Sequence, residues 1–194
     1  MFVFGKQIST LPRTSRLMIA LLMAVLLVPV LAGCSGSKLD VYQSDLLKVK
    51  VPMLEGWEVQ LEEAQSQEMA YMTLANEYSG VLVTRSSLAQ IFPDKPADTK
   101  IEDYFNTLIS LGQGSETFTT SGSIEIKPKS GYQQATVPVD LTEIMGIAGA
   151  SKGTLLMTLE GDQTVIAIFF CTLEKLDECE KDLAASVKGF SLID

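Results

Sequence analysis

Residues 17–31 form an almost unbroken apolar run, and this run decides how much of the 194-residue chain is available to fold. Lys6, Arg13 and Arg16 precede it, no acidic residue occurs before Cys34, and Pro29 followed by Ala32, Gly33, Cys34, Ser35 and Gly36 closes it. A spanning helix needs about 20 apolar residues, so a transmembrane anchor is the weaker reading; an ordinary secretory signal is the other alternative. A basic start, an apolar stretch of this length and a small-residue end mark a leader that is removed before the rest folds. Residues 1–33 are read as that signal peptide. About 160 residues remain, enough for one domain with a sizeable core.

The end of the run, Leu31-Ala32-Gly33-Cys34, resembles the lipobox of bacterial lipoproteins. That resemblance implies a diacylglyceryl group (palmitate-type acyl chains) on Cys34, cleavage just before it, and acylation of the new amino group. Two or three chains anchor stably where one is marginal, since each buried methylene contributes ~0.8 kcal/mol. The implied address is a membrane surface facing the extracytoplasmic space. In a host with an outer membrane, Ser35 after the cysteine resembles the default sorting signal to the periplasmic face of that membrane.

Removing the three leader cations from a net charge of −9 leaves −12 on the mature chain. Such a surface is repelled by nucleic acid and by anionic headgroups. The expected partners are therefore the membrane, through the lipid anchor, and a protein of the cell envelope, with no nucleic acid.

Histidine is absent. No Ser-His-Asp or Cys-His nucleophile pair can be assembled, and the imidazole-bearing zinc sites of common hydrolases are excluded with them. Glu62, Glu63 and Glu68 are the nearest carboxylate cluster, but Glu62 and Glu63 are neighbours, so on a strand they point to opposite faces. They read as solvated surface rather than an acid-base or metal site. The expectation is no enzyme, no catalytic or metal-binding residues and no cofactor.

Lipidation consumes one of the three cysteines and leaves Cys171 and Cys179. In an oxidising compartment an even remainder reads as a disulfide, here between a strand end and the first turn of a helix. Two buried free thiols are the alternative.

Residues 34–44 are small and polar after the cysteine and read as a flexible tether, which starts the domain at 45 and carries it to 194. Strand patterns dominate that domain. Residues 47–51 and 57–62 alternate and read as a half-buried pair; 69–74 and 80–85 read as a hairpin turned by 76–80. Thr99-Lys100-Ile101-Glu102 fits a capping box ahead of an amphipathic helix that carries Ile101, Tyr104, Phe105, Leu108 and Ile109 and ends near Gly112. Residues 123–127 and 133–141 follow as strands, with Ala135, Val137, Val139 and Leu141 on one face and Pro138 marking an edge or bulge. Residues 153–160 and 163–171 form the clearest hairpin, joined by Gly161-Asp162. Residues 165–170 are apolar on both faces, which predicts a central strand covered on both sides. A last helix turns Leu176, Leu183 and Val187 inward and Lys181 and Lys188 outward, stops at Gly189, and returns Phe190 to the core.

Val51-Pro52-Met53-Leu54-Glu55-Gly56-Trp57 resembles the strand, proline turn and Gly-Trp opening of the PsbP-like and DcrB-like superfamily, many of whose bacterial members are small lipoproteins. Ala185-Ser186-Val187-Lys188-Gly189-Phe190 resembles its last helix and terminal aromatic, with Gly189 where Ser is commoner. The resemblance implies an α+β fold: a mostly antiparallel β-sheet flanked by helices, as an α/β/α sandwich. It implies binding or assembly roles and supplies no catalytic residues. Trp57 reads as a core anchor.

One stretch does not fit a plain scaffold: Ile144-Met145-Gly146-Ile147-Ala148-Gly149-Ala150. The Gly-Lys-Ser/Thr ending of a phosphate loop is missing, which leaves a packed connection or an exposed contact surface. In the second case Ile144, Met145 and Ile147 are the partner-contacting residues. The function these readings favour is a membrane-anchored, non-enzymatic binding or assembly module; the alternative is a carrier or sensor of a small apolar ligand held between sheet and helix.

Overall fold

A computed structural model describes residues 39–66, 68–96, 98–142 and 151–193. Cys34 and the segment holding Ile144, Met145 and Ile147 lie outside the described residues. The elements run β1 (Asp40–Ser44), β2 (Val49–Met53), β3 (Glu58–Ala64), β4 (Met69–Ala75), β5 (Ser79–Ser87), α1 (Leu88–Ile91), α2 (Ile101–Gly114), β6 (Phe118–Thr120), β7 (Glu125–Pro128), β8 (Gln133–Leu141), β9 (Ser151–Glu160), β10 (Gln163–Thr172), a 3-10 turn (Leu173–Lys175), α3 (Leu176–Gly189) and β11 (Ser191–Leu192).

Eight strands make one antiparallel sheet in the order β3-β4-β5-β10-β9-β8-β6, with β7 also paired to β8. A second, three-stranded sheet has the order β1-β2-β11. Alternation along β10 explains the layering. Val165, Ala167, Phe169 and Cys171 join a core with Val49, Val51, Leu183 and Phe190, whereas Ile166, Ile168 and Phe170 face a second core with Tyr104, Phe105 and Ile109. One face is thus covered by the small sheet and α3, the other by α2. β10 is central and buried on both faces, as its apolar run predicts.

Both predicted hairpins form. β4 pairs with β5, and β9 with β10, where Gly161 takes the positive φ of 58° that the tight turn requires. β8 turns Ala135, Val137, Val139 and Leu141 inward, each at most 2% exposed. Pro138 falls between the stretch of β8 paired to β7 and that paired to β6, where no outer neighbour needs its missing N–H. Phe190 is buried and meets the Phe169 ring edge-on at 5.9 Å.

Three local expectations are corrected. Residues 40–44 are not tether: they form β1, antiparallel to β2, held by backbone pairing and hydroxyl bonds that a hydropathy pattern does not register. Residues 47–51 and 57–62 do not pair; β2 lies between β1 and β11, and β3 pairs with β4. The turn that brings Trp57 N–H to Leu54 C=O, with Gly56 at φ 77°, sends the two strands into different sheets. The capping box does not form, because Thr99 Oγ1 donates to Pro96 C=O and the N-cap is Lys100, without a side-chain cap. Glu102 and Asp103 remain to favour the helix N-terminus through its dipole.

Two glycines at the helix ends make close approaches as well. α2 ends at Gly114, near Gly112 as expected, and Gly112 is also a gap for the Phe118 ring: a Cβ there would lie 2.1 Å from it. α3 ends at Gly189, as the sequence predicts, although without a left-handed turn. Gly189 lets the helix approach β2, where a Cβ would lie 2.7 Å from Pro52, and the neighbouring Ser186 hydroxyl donates to Pro52 C=O.

Candidate functional site

α3 packs on β2, β10 and β9. Beside it, over β7, β8 and part of β9, lies a half-open cleft of about 650 Å³. Strand register builds its floor. Glu125 stands opposite Thr136 and Lys127 opposite Gln134, while Pro138 stands opposite Thr154; antiparallel partners share a face. Ala184, Val187 and Lys188, three and four positions apart on α3, form the wall. Ser123 and Lys129, just before and just after β7, complete the lining.

Among the described residues, the cleft carries three lysines against one glutamate within a chain of net charge −9. Lys127 Nζ is 2.6 Å from Glu125 Oε2, an exposed pair of a kind that contributes ~0–1 kcal/mol. Among the described residues, no carboxylate lies within ion-pair distance of Lys129 or Lys188. Gln134 is only 6% exposed, yet its side chain has no hydrogen-bond partner among the described residues, and its Oε1 is buried. A buried amide left without partners is uncommon.

A second polar node ties the two sheets together. Glu62 accepts hydrogen bonds from the Tyr42 hydroxyl and the Ser44 hydroxyl, both at 2.5 Å. The bond to Glu62, with partial burial and the carboxylate charge adding to it, pushes the Tyr42 pKa up to about 12. Glu63 points the other way and accepts from Tyr71, whose pKa is raised by that bond first. The two glutamates therefore occupy opposite faces, as their adjacency predicts, and each carboxylate is engaged by a tyrosine. Among the described residues, Glu68 bonds through its backbone N–H to the Ser66 hydroxyl and not through its carboxylate. Among the described residues, no group of three or more histidine, cysteine, aspartate or glutamate side chains could hold a metal ion.

Cys171, near the end of β10, and Cys179, in the first turn of α3, are joined as a disulfide with Cα atoms 6.6 Å apart. The bridge staples α3 to the sheet whose neighbouring strands floor the cleft. Trp57 is buried, and its Nε1 donates to Ser79 Oγ at 2.8 Å, so it is the core anchor its position predicts.

Sequence reasoning did not assemble the cleft. Gln134, Thr136 and Pro138 alternate with the buried residues of β8, and that alternation reads as an ordinary solvated face. The available signal was a lysine-rich run, Lys127-Pro128-Lys129, beside that face in an otherwise acidic chain.

No family model matches the chain, and no curated protein does. The structure is similar to the solution structure of cyanobacterial PsbP (CyanoP) from Synechocystis sp. PCC 6803, with a TM-score of 0.54 and 11% identity over 82% of this chain and 95% of that one. It is also similar to PA94 from Pseudomonas aeruginosa, a protein of unknown function described as a putative regulator, with a TM-score of 0.46 and 10% identity over 79% of this chain and 96% of that one. The likeness to CyanoP shows the fold: an α+β domain of PsbP-like architecture, as the sequence resemblance implies.

Proposed function

We propose that the chain is a lipid-anchored lipoprotein of the cell envelope whose PsbP-like domain is a non-enzymatic binding or assembly module. The observation that carries this reading is the Leu31-Ala32-Gly33-Cys34 motif at the end of an apolar leader. The anchor is Cys34, the domain faces the extracytoplasmic space, and in a host with an outer membrane it stands on that membrane's periplasmic side. Because β1 begins at Asp40, the tether after Cys34 is only residues 35–39. Fully extended, five residues reach ~18 Å, which keeps the domain close to the bilayer. Ile144, Met145 and Ile147 are the apolar anchors of the protein contact in this reading. Cys34→Ser should leave the chain unprocessed and without acyl mass, and Ile144→Ser with Ile147→Ser should keep the thermal midpoint but lose partners crosslinked in native membranes. A mature, detergent-partitioning Cys34→Ser product, or a large fall in the midpoint of the double variant, would count against the respective halves of the proposal.

The cleft favours a second reading, that of a carrier or sensor of a small ligand between sheet and helix. Its lysines and its unpartnered amide make it less apolar than that alternative expects.

A further inference from the structure

We infer that the cleft between α3 and β7–β9 binds a small organic anion in which a carboxylate stands beside an N–H or O–H donor and an apolar body. The inference rests on the carrier or sensor reading and gives it a ligand class. Charge supplies the first requirement. Lys129 and Lys188 line the cleft from opposite sides, one after β7 and one on α3, and neither has an acidic partner among the described residues. The one carboxylate in the lining among the described residues, Glu125, is occupied by Lys127. A ligand cation would find no free counter-charge there, whereas an anion would find two. The acidic remainder of the surface does not cancel this, because charges more than about 8 Å away are largely screened at physiological salt.

Gln134 supplies the second requirement. A primary amide holds N–H donors and a carbonyl acceptor side by side in one plane, so its complement is a group with an acceptor and a donor side by side. A carboxylate next to an amide N–H or a hydroxyl has that pattern; a simple fatty acid does not. Gln134 lies in the cleft floor, more than nine-tenths buried and without a protein partner among the described residues. The third requirement comes from Pro138, Ala184 and Val187, which give the cleft an apolar end. At about 650 Å³ the space is in the range of small-molecule sites, roughly 300–1,000 Å³. Being half open, it suits a compact body such as one ring rather than a long acyl chain.

The test is calorimetric titration of the full chain in nanodiscs of neutral phosphatidylcholine, with N-acetyl-phenylalanine as probe. Three analogues each remove one feature: N-acetyl-phenylalanine amide the charge, 3-phenylpropanoate the donor, and N-acetylglycine the ring. Saturable one-to-one binding of the probe is expected, with each analogue weaker. Lys129→Gln with Lys188→Gln should weaken the acid about tenfold and leave the amide analogue unchanged, since only the charged contact is lost. Gln134→Met should erase the preference for N-acetyl-phenylalanine over 3-phenylpropanoate. Ala184→Trp, on the exposed side of α3, should fill the cleft and abolish binding, while Lys95→Gln, outside it, should change nothing; far-ultraviolet circular dichroism confirms that each variant is folded. Tighter binding of the amide analogue than of the acid would overturn the anion and keep the small-ligand reading. No binding by any of the four probes at millimolar concentration, or binding indifferent to Ala184→Trp, overturns both.

Discussion

Two halves of one sheet face have met opposite fates. Over β4, β5 and β10 the face carries Met72, Leu74, Val81, Val83, Val165, Ala167 and Phe169, and the small sheet with α3 seals it. Over β8 and the adjoining part of β9 it carries Gln134, Thr136, Pro138 and Thr154, and nothing among the described residues closes it. Strand geometry and pairing are the same in both halves. The difference lies in alternate residues: β10 is apolar on both faces and demands two covers, whereas β8 is apolar only toward α2 and needs one. A second layer is laid down only where there is apolar area to bury, and where it ends the cleft begins.

The largest expected effect lies at the centre of the sealed half. Phe169 is fully buried and touches Phe190 edge-on, so Phe169→Ala should cost ~3–5 kcal/mol. Thr136→Ala, on the open half, should fall within about 0.5 kcal/mol of wild type. Urea unfolding reports both through the single tryptophan, Trp57, which is 3% exposed. Equal losses at the two positions would mean that the open half is as tightly packed as the closed one.

Next comes the staple that holds α3 at the border between the halves. Closing the short loop from Cys171 to Cys179 contributes ~2.5 kcal/mol in the chain-entropy model. Cys171→Ala with Cys179→Ala should lose about that much, and reductant should lower the midpoint of the wild type but not of the variant. Two thiols alkylated without reductant in the unfolded protein would remove the bridge from the account.

What the sequence disclosed divides along another line. The β9–β10 hairpin, central β10, the inward face of β8, both longer helices, the disulfide and the docking of Phe190 can all be read from alternation, a continuous apolar run, turn residues and cysteine count. The small sheet cannot. β1 has one exposed valine among polar residues, and β11 is two residues long, so neither has a periodic signal. β1 pairs with its chain neighbour β2, and β11 reaches β2 from the opposite end of the domain, both through backbone hydrogen bonds. The cleft was illegible for a related reason: a polar residue on a strand looks the same in sequence whether solvent or a helix-walled hollow lies above it. Gly112 and Gly189 mark the helix ends in sequence, but the close approaches they make to Phe118 and Pro52 leave no sequence signal.

The far edge of the sealed half depends on the Tyr42–Glu62 bond, and its effect should be smaller and tied to pH. The unfolded hydroxyl loses its proton near the ordinary tyrosine value of about 10, whereas the folded one keeps it to about 12. The folded state therefore binds more protons between those values, so the stabilisation is fully present below pH 10 and is lost as pH rises through 12. Tyr42→Phe removes the term, so the stability gap between wild type and variant should be constant below pH 10 and shrink across that window. A gap that does not change with pH would separate the bond from the sheet-to-sheet closure.

A further contrast falls where the two halves meet. Gln134 on β8 and Thr158 on β9 are register partners on the same face, and both are buried, but their polar atoms are treated differently. Thr158 Oγ1 accepts the Val165 N–H at 3.1 Å, and Thr164 Oγ1 donates to Thr158 C=O at 2.7 Å. The Gln134 amide has no such partner among the described residues. Thr158→Val strands a buried donor and should cost ~1–3 kcal/mol. Gln134→Met exchanges an amide that contributes no protein hydrogen bond for a side chain of similar length, so stability should stay within about 1 kcal/mol of wild type or rise slightly. Urea midpoints of the two variants decide the matter. A Gln134→Met loss as large as that of Thr158→Val would show that the amide is satisfied within the folded protein, and the border between closed core and open cleft would then lie beyond β8 rather than along it.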